Sequence, residues 1–190
     1  MKNLRKILII YAHPAQKKSR INKAMILKAK ELQNVSIHDL YDLYPDFHID
    51  VKFEQDCLRS TDLLILQFPI YWYSSPSIIK EWKFSVLEYG FAHGPTGTAL
   101  NGKPFMLALS AAGLPEAYQR GGVNHFTLDE FLRPFEQTAA ICGMPYWPPF
   151  LIQGAPNLSE KEINEHADSY CELLLSLGRG THKYFSAEGR

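Results

Sequence analysis

The sequence predicts a single α/β domain: an open, mostly parallel sheet with helices on both faces. Three observations carry this. Short apolar runs recur along the chain, the strongest are continuous rather than alternating, and stretches of helical periodicity separate them.

The first run is Ile7-Leu8-Ile9-Ile10-Tyr11-Ala12. With Lys2, Arg5 and Lys6 ahead of it, it imitates a secretory leader, but it is short and His13-Pro14 stands where cleavage would need small residues. A buried parallel strand accounts for it better. The second run, Val35 to Leu40, alternates as a strand near a sheet edge would. The third, Asp62 to Phe68, and the fourth, Pro104 to Ser110, are continuous, as strands covered on both faces are. A shorter fifth, Phe150 to Ile152, follows Pro148-Pro149.

Helical patterns fill the gaps. One spans 21–32, with Ile21, Ala24, Met25 and Leu32 on its apolar face. A second spans 76–89, with Pro76 just inside its start. A third spans 128–142 and is interrupted by Pro134. A fourth spans 159–177, opened by the capping box Ser159-Glu160-Lys161-Glu162, with Gly178 as its expected stop. The domain is expected to cover 1–178, and 179–190 to form a polar, loosely ordered tail.

The 190 residues suffice for one domain with a full core, and no internal repeat divides them. Lys+Arg and Asp+Glu both number 20, so no net charge draws the chain to nucleic acid or an anionic membrane, and no nucleic-acid partner is expected. No apolar stretch reaches the length of a membrane span. The three cysteines, Cys57, Cys142 and Cys171, are widely spaced and read as reduced thiols of a cytoplasmic protein. The seven histidines show no metal-ligand spacing, so no metal is expected.

In open α/β sheets ligands bind beyond the carboxyl ends of the strands. The loops after the first, third and fourth runs are therefore the candidates. After the first comes His13 to Asn22, opening a helix. It is neither GxGxxG nor a P-loop, but Ser19, Asn22 and helix N-terminal N–H groups suit a phosphate. Ser19 as a plain helix cap is an equal reading. After the third comes Pro69-Ile70-Tyr71-Trp72-Tyr73-Ser74-Ser75, whose aromatics can stack on a flat ring; a core plug or a subunit contact is the alternative. After the fourth comes Ser110-Ala111-Ala112-Gly113, small enough to let a ligand approach the backbone, or simply a tight turn.

The chain resembles the flavodoxin-like NAD(P)H:quinone oxidoreductases, and among them the ancillary flavoproteins of glutathione-regulated potassium-efflux systems. The matching pieces are Ile10 to Pro14, Ser19 to Asn22, Asp39 to Asp50 with its Leu-Tyr-Pro-Asp-Phe element, Gln67 to Ser74, Leu100 to Lys103, Arg133 to Glu136 and Ile141 to Met144. The resemblance implies a three-layer sandwich on a five-stranded parallel sheet in order 2-1-3-4-5. It implies a flavin, FMN rather than the alternative FAD, held by His13, Ser19, Arg20, Ile21 and Asn22 at its phosphate side. Pro69, Ile70, Tyr71, Trp72 and Tyr73 would lie along the ring, and Ser110, Ala111, Ala112 and Gly113 at its other edge.

Relatives usually read Thr-Thr-Gly-Gly in that third loop, so this chain departs from them there. Tyr118 matches the position of a catalytic tyrosine and His125 that of a catalytic histidine, with an unengaged surface histidine an equal reading of His125. The implied reaction passes a hydride from NAD(P)H through the flavin to a quinone or other small electron acceptor. The alternative is a regulatory subunit that docks on a potassium-efflux transporter at the inner face of the membrane, with the flavin as sensor or structural element. A homodimer is implied in either case.

Overall fold

A computed structural model of the chain describes residues 4–15 and 18–185. Five parallel strands form one sheet in the order β2-β1-β3-β4-β5, the order the resemblance implied. They are β1 (Ile7–Tyr11), β2 (Val35–Asp39), β3 (Leu63–Pro69), β4 (Phe105–Ser110) and β5 (Phe150–Ile152). The helices are α1 (Ile21–Ala29), α2 (Leu40–Leu43), α3 (Val51–Arg59), α4 (Ser77–Val86), α5 (Leu128–Ile141) and α6 (Glu160–Arg179).

Strand alternation sends the apolar runs both ways, which is why they are continuous. From β1, Ile7, Ile9 and Tyr11 meet a core closed by α1 and α6 through Met25, Ile163, Tyr170 and Leu174. Leu8 and Ile10 meet the opposite core, closed by α3, α4 and α5 through Leu58, Ile79, Trp82, Leu132 and Phe135. β1, β3 and β4 are buried along their whole lengths, whereas β2 at the edge is only partly covered.

Several boundaries differ from those expected. The first helix stops at Ala29 rather than residue 32, and Pro76 is the N-cap of α4 rather than its first turn. Helix α5 keeps Pro134 inside it, and its start is fixed by a capping box: Thr127 Oγ1 accepts from Glu130 N–H while the Glu130 carboxylate accepts from Thr127 N–H. Gly178 does not end α6. The helix runs to Arg179 and stops at Gly180, whose φ of 68° is left-handed. Gly178 is instead a packing glycine, because a Cβ there would lie 2.5 Å from the Asn34 amide nitrogen. In the tail, Lys183–Phe185 forms a 3-10 turn with the Tyr184 ring 5.4 Å from Trp147. Residues 186–190 of that tail lie outside the described residues.

Helix α3 was not anticipated. Asp50 caps it by accepting from Phe53 N–H at 2.9 Å. Its Glu54 is wholly buried, accepting from Tyr44 OH at 2.7 Å and lying 3.0 Å from His38 Nδ1. The Leu-Tyr-Pro-Asp-Phe element therefore braces α3 against β2. Lys103 plays a similar part at the other end of α3, its Nζ donating to the carbonyls of Leu58, Arg59 and Thr61. These carbonyls at the helix end have no partner within the helix itself.

Candidate functional site

The chain leaves β1 toward the β2 edge and later returns across β1 to β3, so strand order reverses between β1 and β3. Beyond the carboxyl ends of these strands lies a crevice, the favoured ligand position in open α/β sheets. The loops after β1, β3 and β4 meet there. One hollow of about 240 Å³ is lined by His13, Lys18, Ser19, Arg20, Ile21, Asn22, Pro69, Ile70, Tyr71, Ser110, Ala111 and Ala112, with Ala155 and Pro156 closing one wall. A second, of about 390 Å³, shares Ile70 and Ala112 and adds Trp72, Tyr73, Gly113, Ala117, Tyr118, Val123 and Asn124. The first alone is below the roughly 300–1,000 Å³ of small-molecule sites; the two together fall within it.

In the first loop Ser19 is buried one residue before the N-cap Arg20 and accepts from Lys23 N–H at 3.2 Å, so it satisfies one donor of the helix's first turn. That bond does not exhaust the loop's donors. The N–H groups of Ile21 and Asn22 have no partner among the described residues, as the first turn of a helix dictates. Lys18 and Arg20 add positive charge, and Arg20 Nη2 donates to Glu160 at 2.7 Å. His13 is buried, and its Nδ1 accepts from Ala15 N–H at 3.2 Å, which leaves the proton on Nε2. Burial also holds its pKa below the ordinary 6.5. Below the loop, burial pushes the Tyr11 phenol up to about 12, although a hydrogen bond with Ser19 opposes this.

Asn22 joins two loops. Its Nδ2 donates to Ser110 Oγ at 2.8 Å, and its backbone carbonyl accepts from Gln67 Nε2 at 3.2 Å. Its Oδ1 is buried with no partner among the described residues. An unpaired buried acceptor beside a cleft is costly unless a ligand donates to it.

The second loop is a tight hairpin. Tyr71 and Ser74 exchange backbone hydrogen bonds at 2.9 and 3.0 Å across Trp72 and Tyr73. Both central residues have positive φ, 48° and 64°, a conformation that usually selects Asn-Gly. Bulky residues there cost about 1–2 kcal/mol each. Stacking of Tyr73 on Phe131, with centroids 4.9 Å apart, opposes that strain on one side, while Trp72 stands 93% exposed at the tip. Such stored strain is typical of ligand-clamping loops. The N–H groups of Trp72 and Tyr73 have no partner among the described residues.

In the third loop the N–H groups of Ala112 and Gly113 are likewise without partners among the described residues, so the departure at Ser-Ala-Ala-Gly leaves backbone donors in place. The Tyr118 ring lies on Gly113, where a Cβ would be 2.8 Å from its edge. His125 sits further along this loop with φ 59°; it is exposed and lines neither hollow.

Sequence reasoning missed Lys18, Ala155 and Pro156. The last two follow β5, and the strand-end rule that picked the other loops would have reached them had it been applied to that short strand.

The donor set fits a phosphorylated flavin. Helix N–H groups with Lys18 and Arg20 suit a phosphate, Asn22 Oδ1 suits a ribityl hydroxyl, and the free N–H groups of the hairpin and third loop suit the polar edge of the ring.

A family model described as flavodoxin-like fold matches residues 5–174. Over 179 residues the chain is 41% identical to the glutathione-regulated potassium-efflux system ancillary protein KefG of Yersinia enterocolitica, covering 93% of this chain and 97% of that protein. A crystal structure of general stress protein 14 from Treponema denticola, in complex with FMN, superposes with a TM-score of 0.86 at 36% identity, covering 90% of this chain and 99% of that one. An NADPH-quinone reductase from P. pentosaceus superposes with a TM-score of 0.79 at 29% identity, covering 97% and 99%.

Proposed function

The chain belongs to the flavodoxin-like fold family, and from that premise we propose that it is an FMN-dependent NAD(P)H:quinone oxidoreductase. The observation that carries the proposal is the convergence of three donor-bearing loops on one crevice at the β1/β3 reversal. The FMN complex of the Treponema relative and the quinone reductase from P. pentosaceus support the cofactor and the acceptor class.

When bound, the flavin supplies the two-electron chemistry, accepting hydride from NAD(P)H and delivering it to the quinone. The protein's part is binding and charge. Arg20, Lys18 and the start of α1 hold the phosphate, and Ser19 fixes the helix start that presents those donors. Asn22 accepts from the ribityl chain and ties the phosphate loop to Ser110. Pro69 to Tyr73 and Ser110 to Gly113 flank the ring, their backbone donors placed to favour negative charge at its edge. We assign proton handling to Tyr118, whose hydroxyl-bearing ring borders the second hollow, and to His125 beyond it in the same loop. The exposed Trp72 and Tyr73 suit the subunit boundary of a homodimer.

The likeness to KefG supports a second role, docking on a potassium-efflux transporter, which can coexist with catalysis. No helix among the described residues is long and apolar enough to cross a membrane.

The purified protein should show a flavin absorbance spectrum. Quinone-dependent NADPH oxidation should give parallel double-reciprocal lines, because donor and acceptor use one pocket in turn. A colourless protein that takes up no added FMN overturns the cofactor assignment, and converging lines overturn the shared pocket.

A further inference from the structure

The segment after β5 forms one wall of the crevice. At one end it is fastened to the third loop: Gly154 N–H donates to the Gly113 carbonyl and Ala155 N–H to the Ala111 carbonyl, both at 3.0 Å. In its middle, Ala155 and Pro156 wall the first hollow. At its far end it enters α6, where Glu160 accepts from Arg20 Nη2 at 2.7 Å. Arg20 is the N-cap of α1 and lines the same hollow. The Arg20–Glu160 pair therefore joins the last wall of the crevice to the phosphate loop.

Both side chains are well exposed, 44% and 79%, so the pair adds little to folding. Its effect is on the position of Arg20. An arginine has five N–H donors, and a carboxylate on Nη2 leaves others free for an anion. A guanidinium held in place loses less rotamer freedom when the anion arrives. Glu160 stands at the first turn of α6, where an acid is favoured, and Lys28–Asp168 at 2.8 Å ties α1 to α6 independently, so cutting the upper pair leaves the packing of the two helices intact.

We infer that Glu160 is a positioning residue that holds Arg20 over the flavin phosphate and so gives the site its preference for FMN over riboflavin. The inference rests on the flavin reading above. It is tested on the full-length chain by titrating FMN and riboflavin against the wild type, E160A and E160Q, following flavin fluorescence, with thermal melts of each variant without ligand. E160A should weaken FMN binding about fivefold while riboflavin changes by less than about twofold. E160Q, which keeps an acceptor but not the charge, should fall between. The ratio of the two affinities is independent of any general loss of fold. FMN affinity that is unchanged or tighter in E160A overturns the inference, as does an equal loss for both ligands, which would make Glu160 a mere wall support. If the wild type binds neither flavin, the functional reading fails first and this inference with it.

Discussion

Two single residues give sharp tests of the site. At Gly113 an added methyl would stand 2.8 Å from the Tyr118 ring, closer than real Cβ contacts allow, so the ring must move. Gly113→Ala should therefore lower kcat for quinone reduction about tenfold or more, and more than it weakens FMN binding. A kcat within twofold of wild type would remove Tyr118 from the chemistry. His13 carries a pH signature. Its folded pKa is held below 6.5 by burial, so as pH falls through 6.5 the unfolded chain takes up a proton before the folded one does. The stability that His13 contributes is complete above 6.5 and is lost as pH drops toward the folded value. In His13→Gln, urea midpoints should decline less steeply over that range, and an unchanged slope would show that His13 is not the group responsible. At this scale the sequence was uneven. Ser19 and Asn22 were legible as polar side chains at a helix start, and the structure buries both beside the crevice. The left-handed turn at Trp72 and Tyr73 was not, because turn preferences disfavour bulky residues there and only Phe131, distant in sequence, opposes the strain.

Among the elements, strands were easier to read than helix ends. A continuous apolar run is set by burial on both faces, a local signal with no long-range partner to guess. The stop of α6 is the left-handed Gly180, while the earlier Gly178 is kept inside the helix as a packing contact with Asn34; α3 depended on Glu54, a charged residue that composition would place outside. That buried carboxylate makes α3 testable. Glu54→Ala leaves Tyr44 OH and His38 without their shared partner and opens a void behind them, which should cost about 3 kcal/mol in chemical denaturation. Glu54→Gln keeps an acceptor for Tyr44 and should cost less. Because α3 lies away from the crevice loops, both variants should keep FMN affinity within about twofold. A large loss of affinity at unchanged stability would give this brace a functional role instead.

Across the whole molecule, the crevice hangs on the most deeply buried strands. The loops that line it leave β1, β3 and β4, the three central strands, all buried along their length, while β2 and the short β5 form the edges. Amides in the central strands should exchange only through global unfolding, whereas edge amides can also exchange through local opening. A ligand that binds only the folded state slows globally governed exchange by the factor 1 + [L]/Kd. With FMN at about a hundred times its Kd, the amides of Ile9, Ile65 and Leu107 should therefore slow about a hundredfold. Those of Ser36 and His38 on the edge should slow less, because local opening at β2 leaves the phosphate loop intact. If the central amides stay unchanged while only the loop amides slow, the sheet unfolds without releasing the flavin. The crevice would then lie elsewhere than on the carboxyl ends of β1, β3 and β4, and the assignment of the site would fall with it.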